Sequence, residues 1–400
     1  MKRRDWLRLL GRGGLAGAAG AALAGRAVSA DSAQSPAGAP AGTGATSGTA
    51  ATGSADAQRG PSHDPDRRYP EVTPARSLHF PRDFGAHSRY RTEWWYITGW
   101  LAWGERAVGV QVTFFRSRTA HDDRNPSRFA PHQLILAHAA LAVAGETRLR
   151  HDQRAARAGF GLAGADERDT AVTVDGWRLA RNEDDRYLAR IDARDFALEL
   201  AFTPHGAPFP QGRDGYSRKG SRPQQASYYY SRPQMTVDGS LRIDGAGADP
   251  AASAVRGVAW LDHEWSSELL DPRATGWDWV GLNMDDGSAL MAFRIRTRDG
   301  AALWSHARWV GTPDDAPAPR FEPLRQWRSL RSGATYPVAM RLVVGERSFS
   351  LEPLFDDQEL DTRASTGTVY WEGAVRVIEQ GREVGKGYLE LTGYAGAVRM

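Results

Sequence analysis

The chain has 400 residues, a formal net charge of +3, 10% aromatic residues with 14 tryptophans among them, and no cysteine. The missing thiol excludes disulfides, thiolate metal sites and cysteine nucleophiles together. Four hundred residues exceed one ordinary core, so two domains are expected, and the aromatic content suffices for two packed interiors or for the walls of a ligand cavity.

Residues 1–30 read as a targeting signal. Lys2-Arg3-Arg4-Asp5-Trp6-Leu7 sets twin arginines before a bulky apolar pair, residues 11–28 are small and weakly apolar, and Val28-Ser29-Ala30 suits cleavage. The pattern predicts export by the twin-arginine route to the periplasm or beyond, with an ordinary secretory signal or an uncleaved anchor as alternatives. The segment carries a net +5 (six basic side chains, one acidic), so the remainder is formally −2. A pI near 9.2 therefore gives no support to a nucleic-acid partner or a polybasic membrane patch. Residues 31–68 are largely Ala, Gly, Ser, Thr and Pro, a composition that buries too little apolar surface to offset its ordering entropy, and they are read as a linker.

From Tyr69 onward the pattern changes to short runs of alternating apolar and polar residues. Examples are Glu93-Trp94-Trp95-Tyr96-Ile97-Thr98-Gly99-Trp100, residues 107–115, Phe196-Ala197-Leu198-Glu199-Leu200, residues 370–377 and residues 387–394. Asp-Gly pairs at 175–176, 238–239, 286–287 and 299–300 stand between such runs, where hairpin turns are expected. Helical periodicity is scarce. The predicted fold is all-β, as two antiparallel barrels over residues 69–265 and 266–396. A faint repeat supports two units. Trp95-Tyr96-Ile97-Thr98-Gly99 opens a hairpin ending Phe115-Arg116-Ser117-Arg118, and Trp277-Asp278-Trp279-Val280-Gly281 opens one ending Phe293-Arg294-Ile295-Arg296. A tryptophan strand capped by a later arginine is a lipocalin-like (calycin) arrangement.

Several stretches resemble one family. They are Glu93-Trp94-Trp95-Tyr96-Ile97-Thr98-Gly99, Phe114-Phe115-Arg116-Ser117, Gly215-Tyr216-Ser217-Arg218-Lys219-Gly220 and Ser227-Tyr228-Tyr229-Tyr230-Ser231. Trp260-Leu261-Asp262-His263-Glu264-Trp265-Ser266, Gly276-Trp277-Asp278-Trp279 and Tyr388-Leu389-Glu390-Leu391-Thr392-Gly393-Tyr394 complete the set. Together, over roughly residues 70 to 396, the chain resembles the secreted AttH-like hydrolases, which share their fold with carotenoid hydratases of the hydroxyneurosporene synthase type. The resemblance implies tandem lipocalin-like domains, an exported location and a hydratase or hydrolase activity. It marks the His263-x-Trp265 pair as functional.

The residues themselves leave the chemistry open. If 260–265 is a strand, Leu261, His263 and Trp265 share one face, and Trp260, Asp262 and Glu264 the other. The first face is the more apolar and is expected to wall the cavity, with His263 either a titrating group there or a hydrogen-bonded core histidine. Glu93, which shares a face with Trp95, and Asp262, Glu264 and Asp278 are candidate acids. A carboxyl in an aromatic cavity has a raised pKa and can protonate an alkene, whereas one beside arginine closes a barrel through an ion pair. Trp95, Tyr230, Trp277 and Trp279 are candidate rings for the substrate, and Lys219 lies in a glycine-bounded loop suited to a barrel mouth.

No Gly-x-Ser-x-Gly elbow occurs, His263-Glu264-Trp265-Ser266-Ser267 lacks the second histidine of a zinc protease, and no glycine loop for phosphate precedes a helix. Neither a metal nor a cofactor is expected. Two functions of different class remain: an enzyme adding water to, or hydrolysing, an isoprenoid- or lipid-like substrate, and a non-catalytic carrier of such a ligand, with peripheral membrane contact compatible with either. Ionisable groups converging inside the cavity distinguish the first from the second.

Overall fold

Bulky β-branched and aromatic residues suit a pleated, half-buried surface, and where they alternate with polar ones the chain forms strands. The computed structural model describes residues 69–398 except 122–123, 246–251, 269 and 313–314. The signal read at 1–30 and the linker read at 31–68 lie outside the described residues. Within them, the only helical element is one 3-10 turn, Arg82–Phe84. A 13-stranded antiparallel sheet spans Thr92 to Ser266, and a 9-stranded one spans Gly276 to Leu391.

The two sheets begin alike. Thr92–Trp103 pairs with Arg106–Arg118 on one side and with Ser253–Ser266, the last strand of its sheet, on the other. Gly276–Met284 pairs with Ala289–Arg296 and with Arg382–Leu391, again the last. The first sheet nearly closes and the second forms a half-barrel, giving two lipocalin-like barrels in tandem. The strands carrying Trp260 and Trp277 are not exchanged between them. Arg116 lies across from Glu93, and Arg294 across from Asp278. This register equates Glu93 with Asp278 and Trp94 with Trp279, which corrects the sequence alignment of Trp95 with Trp277.

Of the Asp-Gly pairs at 175–176, 238–239, 286–287 and 299–300, three lie in turns; Asp175 and Gly176, for example, both adopt positive φ between adjacent strands. Asp238-Gly239 does not. It lies within the strand Ala226–Ile243, and a Cβ at Gly239 would come 2.1 Å from the Glu199 carbonyl oxygen on the neighbouring strand. Close backbone approach, not a turn, demands that glycine.

Strand alternation sorts the tryptophans into three cores. Trp95, Trp177 and Trp265 fill the first barrel, and Trp371 packs with Tyr336 and Phe349 in the second. A third cluster joins the barrels: Tyr96, Trp100, Tyr229 and Trp260 from the outer face of the first meet Trp279, Phe293, Tyr370 and Tyr388 of the second. Burying a side chain of Leu or Phe size contributes roughly 1.5–3 kcal/mol, so this seam is a substantial apolar interface. Gly109 permits it, since a Cβ there would come 2.4 Å from the Ala374 Cβ and 2.7 Å from the Tyr388 hydroxyl.

Candidate functional site

The strand Ser253–Ser266 separates two polar clusters by its alternation. Leu261, His263 and Trp265 point into the first barrel, as the sequence predicts, and Trp260, Asp262 and Glu264 point to the seam.

Inside the first barrel, Glu93 anchors a closed network. Its carboxylate accepts hydrogen bonds from His87 Nδ1 (2.7 Å), the His87 backbone N–H (2.8 Å) and Arg116 Nε (2.7 Å), and pairs with His263 Nε2 at 2.9 Å. His263 Nδ1 meets the Tyr230 hydroxyl at 3.0 Å, and Asp83 lies 3.0 Å from His87 Nε2 and 2.7 Å from Arg76. Trp265 stacks on His87 at 3.6 Å, and Trp95 lies over His263 at 4.7 Å. Burial, the largest influence, would raise the Glu93 pKa; His87, Arg116 and the His263 hydrogen bond outweigh it and hold the carboxyl well below its usual range. Burial likewise depresses His263, against the pull of Glu93. His87, Glu93 and His263 offer ligand atoms within 4.8 Å of one another, but both Glu93 oxygens are already engaged and Arg116 supplies the positive charge a metal would bring. The arrangement fits an internal ion pair.

The cavity lies in the seam, lined by Trp94, Tyr96, Thr113, Phe115, Lys219, Asp262, Glu264, Leu270, Trp277, Trp279, Phe293, Ile295, Tyr370 and Glu390. The internal repeat builds it: Trp94 stands beside Glu264 across the strand pair in one barrel, and Trp279 beside Glu390 in the other. Asp262, 3% exposed, accepts hydrogen bonds from the hydroxyls of Tyr229 (2.6 Å) and Ser231 (2.6 Å) and from Trp260 Nε1 (2.7 Å). These neutral donors favour the ionised form, but burial dominates and pushes its pKa up to about 7. Glu390 retains some exposure to the cavity and accepts a hydrogen bond from Trp277 Nε1 (2.7 Å); burial and the neighbouring carboxyls raise it to about 7 as well. Glu372, directly across the strand pair from Glu390, accepts a hydrogen bond from the Tyr96 hydroxyl on one oxygen and has no partner on the other. Burial and the nearness of Glu390 raise its pKa well above the usual range. Glu264 pairs with Lys219 Nζ at 3.0 Å and accepts a hydrogen bond from the Ser227 hydroxyl.

The structure therefore brings together Asp262, Glu264, Lys219, Trp277 and Trp279 of the predicted residues. It places Glu93, Trp95, Tyr230, His263 and Trp265 on the packed interior of the first barrel, away from the cavity. Asp278 faces the interior of the second barrel, where it accepts hydrogen bonds from Arg294 (2.6 Å), Arg296 (3.0 Å) and Tyr394 (3.0 Å). The repeat thus gives each barrel a carboxylate–arginine closure at the same place. Trp94, Tyr96, Tyr370, Glu372 and Glu390 belong to the site but were not singled out from the sequence. Two unlike acid settings result: inside the first barrel a carboxylate held ionised by cations, and in the seam Asp262 and Glu390, with pKa values raised to about 7 beside aromatic faces. The second can give a proton to an apolar substrate.

The profile of the AttH-like family matches residues 71–394. Among solved structures, an AttH-like protein of Nitrosomonas europaea is 47% identical, with a TM-score of 0.75 over 81% of this chain and 99% of that one. Kievitone hydratase of Nectria haematococca is 13% identical, with a TM-score of 0.60 over 81% of this chain and 96% of that one; at that identity the likeness is one of fold. No curated protein matches the chain.

Proposed function

We propose that this chain, which belongs to the AttH-like family, is an acid–base enzyme that adds water to the carbon–carbon double bond of an apolar, isoprenoid- or lipid-like substrate held in the seam. One observation carries the reading: Asp262 and Glu390, one from each barrel, converge on an aromatic cavity with pKa values near 7. A carrier of apolar ligands has no use for such acids, whose burial costs stability. The name of the distant fold relative, kievitone hydratase, supports the same reaction class.

Asp262 gives its proton to one alkene carbon. The cation left on the other carbon faces the rings of Trp94, Trp279 and Phe293, whose quadrupoles stabilise it. Water attacks that carbon, and ionised Glu390 takes the released proton. The product has gained one H and one OH; Asp262 is left ionised and Glu390 protonated until exchange with solvent resets them. The signal-like segment at 1–30 supports an exported enzyme, periplasmic or secreted, meeting its ligand free or at a membrane surface.

The test is mass spectrometry of a panel of isoprenoid and polyene alkenes incubated with the protein in H₂¹⁸O. Wild type incorporates labelled water into at least one. Asp262→Asn lowers that rate by about two to four orders of magnitude, the usual range for losing an acid–base group. Incorporation undiminished in Asp262→Asn removes Asp262 from the mechanism.

A further inference from the structure

Of the 51 lysine and arginine residues, only Lys2, Lys219 and Lys386 are lysines. Arginine makes almost every ion pair of the fold, including both buried barrel closures at Glu93 and Asp278. Lys219 breaks the pattern at one place, the wall of the seam cavity, where it is 6% exposed. Its Nζ lies 3.0 Å from Glu264 and 3.2 Å from the Ser217 hydroxyl, and 4.2 Å and 4.8 Å from the ring centroids of Phe293 and Tyr229. For an ion pair or an aromatic stack arginine serves at least as well. What arginine lacks is an amine that can lose its proton and become a nucleophile.

We propose that Lys219 forms an imine with an apolar aldehyde or ketone bound in the cavity, with Glu264 as proton acceptor and then as counter-ion. The inference deepens the function proposed above by giving its substrate a carbonyl group. It rests on the same cavity but not on the addition of water. The Lys219 ammonium passes a proton to Glu264, and the free amine attacks the carbonyl carbon, forming the C–N bond. The nitrogen's proton moves to the oxygen, giving a carbinolamine. Glu264 returns its proton to the hydroxyl, which leaves as water. The product is a protonated imine beside the Glu264 carboxylate; one carbonyl and one ammonium give one iminium and one water, with no oxidant or reductant needed. The aromatic faces that hold the ammonium equally suit the iminium.

The experiment treats the full chain with cinnamaldehyde or retinal, reduces with borohydride to fix any imine, and maps the label by peptide mass spectrometry. The expected result is one reduced aldehyde per chain for at least one probe, most of it on Lys219, with exposed Lys386 carrying several-fold less. Lys219→Arg, which keeps the charge beside Glu264, loses this label, and Lys386→Arg keeps it. Label confined to Lys386 and the chain terminus, or unchanged in Lys219→Arg, overturns the proposal. Trapping without ¹⁸O incorporation sinks the hydration reading alone, and incorporation without trapping sinks the imine alone.

Discussion

Glu93 and Asp262 are buried carboxyls on paired neighbouring strands, and they are driven in opposite directions. Glu93 lies among His87, His263 and Arg116, and is held ionised. Asp262 lies among Tyr229, Ser231 and Trp260, none of them cationic, and is held neutral up to about pH 7. Burial pushes both upward; only the partners differ. Burial alone does not make an acid catalyst, and cations one strand away convert the same side-chain type into a structural closure. Strand alternation keeps the two clusters apart, because His263 and Asp262 are sequence neighbours on opposite faces.

Breaking the first cluster should have the largest effect on the fold. Glu93→Ala leaves Arg116, His87 and His263 without their shared anion in a dry interior, and is expected to cost about 3–5 kcal/mol in denaturant unfolding. A loss below about 1 kcal/mol means the network is solvated and not the closure described. His263→Ala removes the hydrogen bonds to Glu93 and Tyr230, for roughly 1–3 kcal/mol, while ¹⁸O incorporation per folded molecule stays at the wild-type level. A collapse of incorporation with stability intact would return His263 to the catalytic site.

The smallest effect is also the one whose sign separates the clusters. Asp262 has a folded pKa raised above its unfolded value, so the folded state binds the proton more tightly. Its contribution to stability is present at low pH and declines as pH rises from the ordinary carboxylate range through about 7. Glu93, with a lowered folded pKa, contributes above the ordinary carboxylate range and loses that contribution as pH falls toward its folded pKa. Asp262→Asn should therefore flatten the decline in melting temperature between about pH 4 and 7 relative to wild type. A variant that steepens the decline contradicts the assignment.

The fold was legible because its signals are local. Alternation and turn chemistry predicted strands and two barrels, and the Phe-Arg-x-Arg ends revealed the repeat, though its register emerged only from the Glu93–Arg116 and Asp278–Arg294 pairs. The site was half legible. Alternation sorted 260–265 correctly into two faces, and the Leu261–His263–Trp265 face was taken as the cavity wall because it is the more apolar. That face is the packed interior of the first barrel. The other becomes a cavity wall only when the second barrel covers it, a long-range event that no local pattern records. Glu390 escaped notice for the same reason: between Leu389 and Leu391 it reads as the solvent side of an edge strand. Glu372, between Trp371 and Gly373, reads alike. The signal that could have found them is the repeat itself, since once Trp94 is aligned with Trp279 their cross-strand neighbours Glu264 and Glu390 correspond.

The central claim, that Asp262 and Glu390 in the seam titrate near pH 7 and not in the ordinary carboxylate range, is tested most directly by infrared difference spectroscopy of the carboxyl C=O stretch against pH. Wild type minus Asp262→Asn should show one protonated-carboxyl band that persists at pH 6 and titrates near pH 7, with a second such band in wild type minus Glu390→Gln. Difference spectra in which both carboxyls are fully ionised by pH 5 would contradict the account.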